Sequence, residues 1–387
     1  MTIFYVDMPT PGGAPGLWDG HSPATPLQGL DKVSELMLGA GDVVALRAGA
    51  VFELGAGKGS FVISVGGAAG APVRFTRYGA GDNPLIKAGG DVGMDMLASR
   101  FVKVDSIDVE GGKRAAVRMD AKSHHITFEN MNVSNAGFGF EILGSNSLFS
   151  HNSVHDLRMI VNTPGGDDDY GAVAFAIQGN DNEFSFNRVW RAKAASFDYG
   201  ADGGGFEFWG SVKRVAIHHN WVEESAGFVE AGGQGAQDEL ADIEIFNNVS
   251  YKNDLFQWIH NAPETGKFGL TLKGLNVHHN TIIEPSAKQV VGFDGAVKPG
   301  SFTFARNLVV APLAKAFNQP GDYHVDNFYE VGAKVAGSGE RFGTVRFVDG
   351  GGRTFRVLRG EQAESYGAYG LGSGPIDFAE RGRQSLR

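Results

Sequence analysis

The sequence predicts an all-β solenoid, a stack of short coils, on three observations. Glycine accounts for 57 of 387 residues, about twice the usual share of roughly 7%. Hydrophobic residues nevertheless reach 42%, with 28 phenylalanines, so the chain is not a disordered glycine-rich polymer. The third observation is a repeat. Every asparagine except Asn83 lies between Asn130 and Asn327, and six share one context: Asn152, Asn187, Asn220, Asn248, Asn280 and Asn307. Three residues before each stands Phe149, Phe184, Ile217, Ile245, Val277 or Phe304. The intervals are 35, 33, 28, 32 and 27 residues. A period of 20–50 residues with alternating apolar positions is the signature of stacked coils.

The elements follow in chain order. Thr25 to Leu38 carries Leu30, Val33, Leu36 and Met37 at helical spacing, which predicts an amphipathic N-terminal capping helix over the open end of the stack. Strands are expected at 42–46, 61–65 and 73–78. The repeated asparagines mark turns, where Asn tolerates a left-handed backbone and can bond to the Asn of the next coil. A second strand set recurs once per coil at 171–178, 205–210, 227–232, 255–260 and 290–294, and predicts one parallel sheet whose outer face forms a groove. From Arg341 the alternation weakens, as expected of a terminal coil and cap. No linker interrupts the pattern. One domain is expected over 1–387, with the cap and first strands in 1–60, coils in 61–340 and the terminal coil and C-terminal cap in 341–387.

Several segments resemble the pectate-lyase-like superfamily of right-handed parallel β-helix proteins. They are Phe4-Tyr5-Val6-Asp7 with Gly41 to Phe52, the strand Ala71 to Gly79, the repeated Ile/Val-His-His-Asn turns, and Arg346 to Asp349 with Phe355 to Leu358. The resemblance implies a single-stranded right-handed parallel β-helix and action on polysaccharides. It does not supply a catalytic signature. Asn162-Thr163 is followed by Pro164 where a polygalacturonase-like site would need Asp, and its Gly-His-Gly and Arg-Ile-Lys are absent. The Asp-Pro-His-Glu of mannuronan epimerases is absent too.

Composition removes other classes. With 34 Lys+Arg against 44 Asp+Glu and a net charge of −10, the chain is a poor phosphate-backbone binder, so no nucleic-acid partner is expected. Zero cysteine excludes disulfide scaffolds, thiolate metal sites and cysteine nucleophiles. No apolar run of about 18 residues exists, so no membrane span is expected. Met1 to Tyr5 shows neither a basic n-region nor a long apolar h-region, so no secretory signal is visible. An extracellular location is expected from the substrate class alone.

The acidic and aromatic residues concentrate between Gly165 and His260. Asp167, Asp168 and Asp169 are adjacent carboxylates that would repel one another unless exposed or shared with a cation, which makes them candidate Ca²⁺ ligands without making Ca²⁺ a requirement. With Phe206 and Phe208 inward, alternation turns Glu207 and Trp209 outward, giving an acid or base beside an apolar platform for a sugar ring. Glu230 falls in the next coil. Aligning Phe206 with Phe228 would turn it inward, whereas a bulge at the flanking glycines would return it to the face. Asp202 is the other candidate partner of Glu207. The expected catalytic residues are therefore Glu207, Asp202 and Glu230. Asp168, Tyr170, Lys193, Trp209, Trp258 and His260 are expected to bind substrate, a polysaccharide or oligosaccharide.

Three functions fit. A glycoside hydrolase would use the paired carboxylates. A polysaccharide lyase or uronan epimerase would need a base, and a cation or an Arg to neutralise a uronate carboxylate; Arg191, Lys193, Lys213 and Arg214 lie in the right region, Tyr170 or Tyr199 would serve as base or acid, and His260 is the histidine on the groove strand. A non-catalytic glycan-binding tailspike or adhesin-like solenoid would need no convergent carboxylates. The hydrolase ranks first, because the groove candidates are more acidic than basic.

Overall fold

A computed structural model describes residues 1–9, 19–55, 59–233, 235, 237–263, 269–333, 337–348 and 354–369. The chain is a right-handed parallel β-helix, and its contacts group it into two compact units. Unit 1 comprises Met1–Glu183 and Lys193–Gly203, and unit 2 comprises Phe184–Ala192 and Gly204–Arg387. In each unit a coil contributes one short strand to each of three parallel sheets.

In unit 1, sheet 1 contains Val43–Arg47, Val73–Tyr78, Arg100–Asp105 and His124–Glu129. Sheet 2 contains Leu85–Ala88, Asp108–Gly111, Asn132–Ser134 and Ser153–His155. Sheet 3 contains Val92–Met96, Ala115–Met119, Phe138–Ile142 and Val173–Ile177. Inward side chains stack between coils: Phe140 lies on Phe175 with ring centres 5.2 Å apart and planes 8° from parallel. Two antiparallel hairpins are inserted before sheet-3 strands. One pairs Met159–Val161 with Tyr170–Gly171, the other Ala194–Ser196 with Gly200–Asp202.

Unit 2 repeats the plan. Sheet 1 has Val212–His218, Glu239–Phe246 and Thr271–His278, and sheet 2 has Arg188–Trp190, Trp221–Glu223, Val249–Tyr251 and Thr281–Ile283. Sheet 3 has Gly204–Trp209, Gly227–Gly232, Leu255–Ile259 and Gln289–Phe293. Its core is another aromatic stack, Phe206 on Phe228 at 5.4 Å and Phe228 on Phe256 at 5.0 Å.

The asparagine ladder forms, with a refinement of its chemistry. Asn187 donates through Nδ2 to Asn220 Oδ1, and the same bond runs from Asn220 to Asn248, Asn248 to Asn280, Asn280 to Asn307 and Asn307 to Asn327, at 2.9 to 3.1 Å. The left-handed backbone belongs to the residue before each rung, Phe186, His219, Asn247, His279, Arg306 and Asp326, at φ 53–58°. The asparagines are buried because their amides close the turn from inside. Asn327 escaped the repeat because His324 stands where other coils have an apolar residue. The ladder ends on Glu340, which accepts from the Asn327 N–H at 2.8 Å and from its Nδ2 at 3.2 Å.

The capping helix is corrected. Only Leu30–Glu35 is helical, as a 3₁₀ turn burying Leu30 and Val33, and Met37 is 98% exposed. Gly29 at φ 101° and the extended Leu36 bound it on either side, so an α-helix over 25–38 has no room to propagate. Of the expected terminal coil and cap, Phe355, Ala363, Tyr366 and Ala368 pack against Trp221, Val249, Ile283, Leu308 and Phe328 of sheet 2, and residues 370–387 lie outside the described residues. No helix of the described residues is long and apolar enough to cross a membrane.

Candidate functional site

The outer face of sheet 3 in unit 2 gathers most of the expected residues. Phe206 and Phe208 point inward and are fully buried, leaving Glu207 and Trp209 on the outer face. The register pairs Glu207 with Glu230, Glu230 with Trp258 and Trp258 with Gly292 on successive strands. Phe206 therefore lies opposite Val229, not Phe228, and Glu230 is outward without a bulge beside it. Adjacent strands lie about 4.8 Å apart.

One residue further along the same face runs a hydrogen-bonded chain. His260 bonds through Nε2 to Glu230 Oε1 at 3.1 Å and through Nδ1 to Asp294 Oδ2 at 2.6 Å. Trp258 donates through Nε1 to Asp294 Oδ1 at 3.0 Å. Burial alone would push the imidazole down, but the hydrogen bonds and charges of Glu230 and Asp294 outweigh it and hold His260 up to about 9. At neutral pH it is an imidazolium that donates to both carboxylates. The indole of Trp258 lies over Gly292, where a Cβ would sit 2.2 Å from its ring carbons. Only glycine leaves that space.

Asp294 carried no role in the sequence reading. Its signal was the same outward alternation, two residues after Gly292, but Asp in a strand-end loop reads as a turn residue.

Unit 1 holds the other expected residues. Asp168, Asp169 and Asp198 offer one oxygen each within 4.8 Å of one another. Asp167 does not join them and instead accepts from the Tyr199 hydroxyl at 2.6 Å. Asp169 is buried at the base, accepting from the Thr163 N–H at 2.7 Å, the Ser196 hydroxyl at 2.7 Å and the Asp198 N–H at 3.1 Å. Burial would raise its carboxyl, and these donors hold it below the ordinary range instead. Asp198 Oδ2 accepts from the Asp168 N–H at 2.9 Å. The set is hard oxygen, the kind calcium takes.

Asp202 lies on the hairpin strand Gly200–Asp202, opposite Ala194, with Lys193 exposed just before it. Tyr170 begins the short strand Tyr170–Gly171, its ring 6.2 Å from Phe138.

Other candidate bases lie on other elements. Burial, the bond to Asp167 and the charges of Asp167, Asp198 and Asp202 push the Tyr199 phenol up. Lys213 and Arg214 belong to sheet 1, where Lys213 pairs with Glu239 at 3.2 Å. His218 and His278 also lie there, stacked on either side of Phe246 at 4.9 and 5.2 Å. Glu223 is buried on sheet 2 against Arg188 at 2.6 Å.

Comparison with known proteins supports this geometry at the level of fold. Residues 93–282 match the family described as the right handed beta helix region. A rhamnogalacturonan lyase superposes with a TM-score of 0.58 at 16% identity, covering 82% of this chain and 84% of that one. The pectate lyase Pel9A gives 0.58 at 17% identity, covering 84% and 79%. A tailspike protein of E. coli bacteriophage HK620 gives 0.50 at 12% identity, covering 85% of this chain and 66% of its own. No curated protein matches the chain by sequence. Stacked parallel coils, the internal asparagine ladder and these likenesses give the chain the fold of the right-handed parallel β-helix proteins.

Proposed function

We propose that the protein is a polysaccharide-degrading enzyme that hydrolyses glycosidic bonds on the outer face of sheet 3 in unit 2, with Glu207 and Glu230 as the reacting carboxylates. The observation that carries this reading is their direct opposition on adjacent strands. A strand spacing of about 4.8 Å is close to the roughly 5–5.5 Å between the carboxyls of retaining glycosidases. Glu230, bonded to His260, is the carboxylate that attacks the anomeric carbon. Glu207 protonates the departing oxygen and then takes a proton from the water that releases the sugar. Trp258 offers a flat apolar face to the neighbouring ring, and Asp294 orients both Trp258 and His260. Trp209 flanks the same strand. A polysaccharide substrate argues for work outside the cell.

A second reading is elimination. It is favoured by Asp168, Asp169 and Asp198, which would hold a Ca²⁺. Such an ion would supply the positive charge that acidifies the proton next to a uronate carboxylate. Lys193 and Tyr170 of the same unit would contact that substrate.

One experiment separates the two. A panel of neutral and uronate polysaccharides is digested while reducing ends and absorbance at about 235 nm are followed. Reducing ends without absorbance, unaffected by EDTA, are expected. New absorbance that EDTA abolishes and Ca²⁺ restores would replace hydrolysis with elimination. No cleavage of any polysaccharide would overturn both.

A further inference from the structure

The first coils of unit 1 carry a cleft that the reaction above does not use. The strand Ile3–Asp7 lies beside Val43–Arg47 in sheet 1, which in turn pairs with Val73–Tyr78. Val6, Val44 and Leu46 are fully buried, so alternation turns Tyr5, Asp7 and Arg47 outward. The register sets Tyr78 opposite Arg47. Tyr5 and Tyr78 meet edge to face, with ring centres 5.1 Å apart and planes at 80°. A loop over 19–25 is tied to this strand. The Tyr5 N–H donates to the Gly20 carbonyl at 2.7 Å, the Gly20 N–H to the Thr25 carbonyl at 2.9 Å, and the Thr25 hydroxyl to Asp19 at 2.8 Å. These bonds hold Pro23 as a further wall of the cleft, beside Tyr5, Tyr78 and Arg47. Ala48 and Gly79 also line it and have little bulk to fill it. The space is about 610 Å³, within the roughly 300–1,000 Å³ of small-ligand sites.

The polar groups of the cleft are balanced in sign. Arg47 Nη1 bonds to Asp7 Oδ2 at 2.7 Å, and Asp7 Oδ1 accepts from the Met8 N–H at 2.7 Å. The charges acting on Tyr78 are those of Asp7 and Arg47, and Asp7 is the charge that holds Arg47. An anion would therefore meet Asp7 and a cation would meet Arg47. Arg47 is 62% exposed, and its remaining N–H groups meet no acceptor among the described residues. The Tyr5 and Tyr78 hydroxyls have no partner among the described residues either. A purely apolar ligand would leave all of these unpaired. A sugar answers each group. Its ring carbons lie on aromatic faces, and each hydroxyl both donates and accepts, as a guanidinium beside a carboxylate requires of a diol.

We propose that the cleft between Tyr5, Tyr78, Arg47 and Pro23 binds a neutral sugar segment, as a holding site that takes no part in bond cleavage. The site rests on the glycan reading given above, since the segment it holds belongs to the polymer that is cleaved. Holding the polymer at one site raises its effective concentration at the other.

The test is affinity electrophoresis of the full chain through native gels carrying xyloglucan, arabinoxylan or galactan as neutral polymers, or polygalacturonate as the acidic one. A neutral polymer retards the wild type, and added salt leaves the retardation unchanged. Tyr78→Ala weakens that binding about tenfold. Tyr78→Phe weakens it less, since the ring stays and the hydroxyl goes. Melting curves within a few degrees of wild type confirm folding, and Arg47→Gln, at an exposed position, decides the matter if the alanine variant unfolds. Stronger retardation by polygalacturonate than by any neutral polymer, no retardation at all, or unchanged retardation in the folded variants overturns the proposal. Cleavage of a short oligosaccharide, run in parallel, distinguishes the failures. Wild-type cleavage by Tyr78→Ala with weakened retardation supports a holding site. Cleavage with retardation unchanged in the variants removes only this site. Retardation that depends on Tyr78 without any cleavage keeps the site and removes the hydrolase, and absence of both removes the glycan reading as well.

Discussion

Glu207 and Glu230 stand opposite one another on adjacent parallel strands, with no residue between them. Glu207→Gln keeps shape and hydrogen bonding but cannot deliver or accept the proton. Cleavage is expected to fall about 10²–10⁴-fold, with the thermal midpoint within a degree or two of wild type. Turnover unchanged in that variant would remove Glu207 from the chemistry.

His260 gives a dependence on pH with a definite sign. Its folded value is raised from the ordinary 6.5 to about 9, so its bonds to Glu230 and Asp294 contribute fully below about 6.5 and are lost as pH rises through 9. The partners are partly exposed, which discounts the contribution to about 1–2 kcal/mol. Urea denaturation of wild type and His260→Gln should differ by that amount at pH 6 and converge by pH 10. A difference that grows with pH would contradict an imidazolium at this position.

Trp258 depends on the absence of a side chain beneath it. Gly292→Ala introduces a carbon 2.2 Å from the indole ring, so the ring must swing away and break its bond to Asp294. We expect kcat/KM to fall about tenfold through KM, and tryptophan emission to shift. An unshifted spectrum would mean that the strand, not the ring, had moved.

The ladder predicts a stability effect remote from the site. Asn248→Ala strands the Asn220 N–H, which donates to Asn248 Oδ1, and the Ile217 carbonyl and Asn280 Oδ1, which accept from Asn248 Nδ2, in a buried turn. The expected cost is about 2–4 kcal/mol, read from the urea midpoint at constant slope. Asn248→Asp keeps the acceptor but sets a carboxylate against Asn280 Oδ1 and the Ile217 carbonyl, and should be no better than alanine.

The repeat made the fold legible because each coil must satisfy the same turn with the same amide, and the alternation around Phe206 and Phe208 made Glu207 and Trp209 legible as outward residues. Register was not legible. Pattern alone leaves open whether Phe206 faces Phe228 or Val229, and the strand pairing selects Val229. The pairing of Asp198 with Asp168 and Asp169 was hidden for a related reason, since it arises between two hairpins some thirty residues apart.

The asparagine ladder has a direction. Every rung from Asn187 onward gives its amide hydrogens to the rung after it and offers its oxygen to the rung before, until Glu340, which can only accept. Each internal junction is therefore chemically the same as every other. A whole coil removed between two asparagines would bring together a donor and an acceptor already suited to each other, whereas a cut of any other length would set unlike groups face to face. In this protein, length is quantised in coils, and the terminating carboxylate is the one rung that cannot be exchanged for its neighbours.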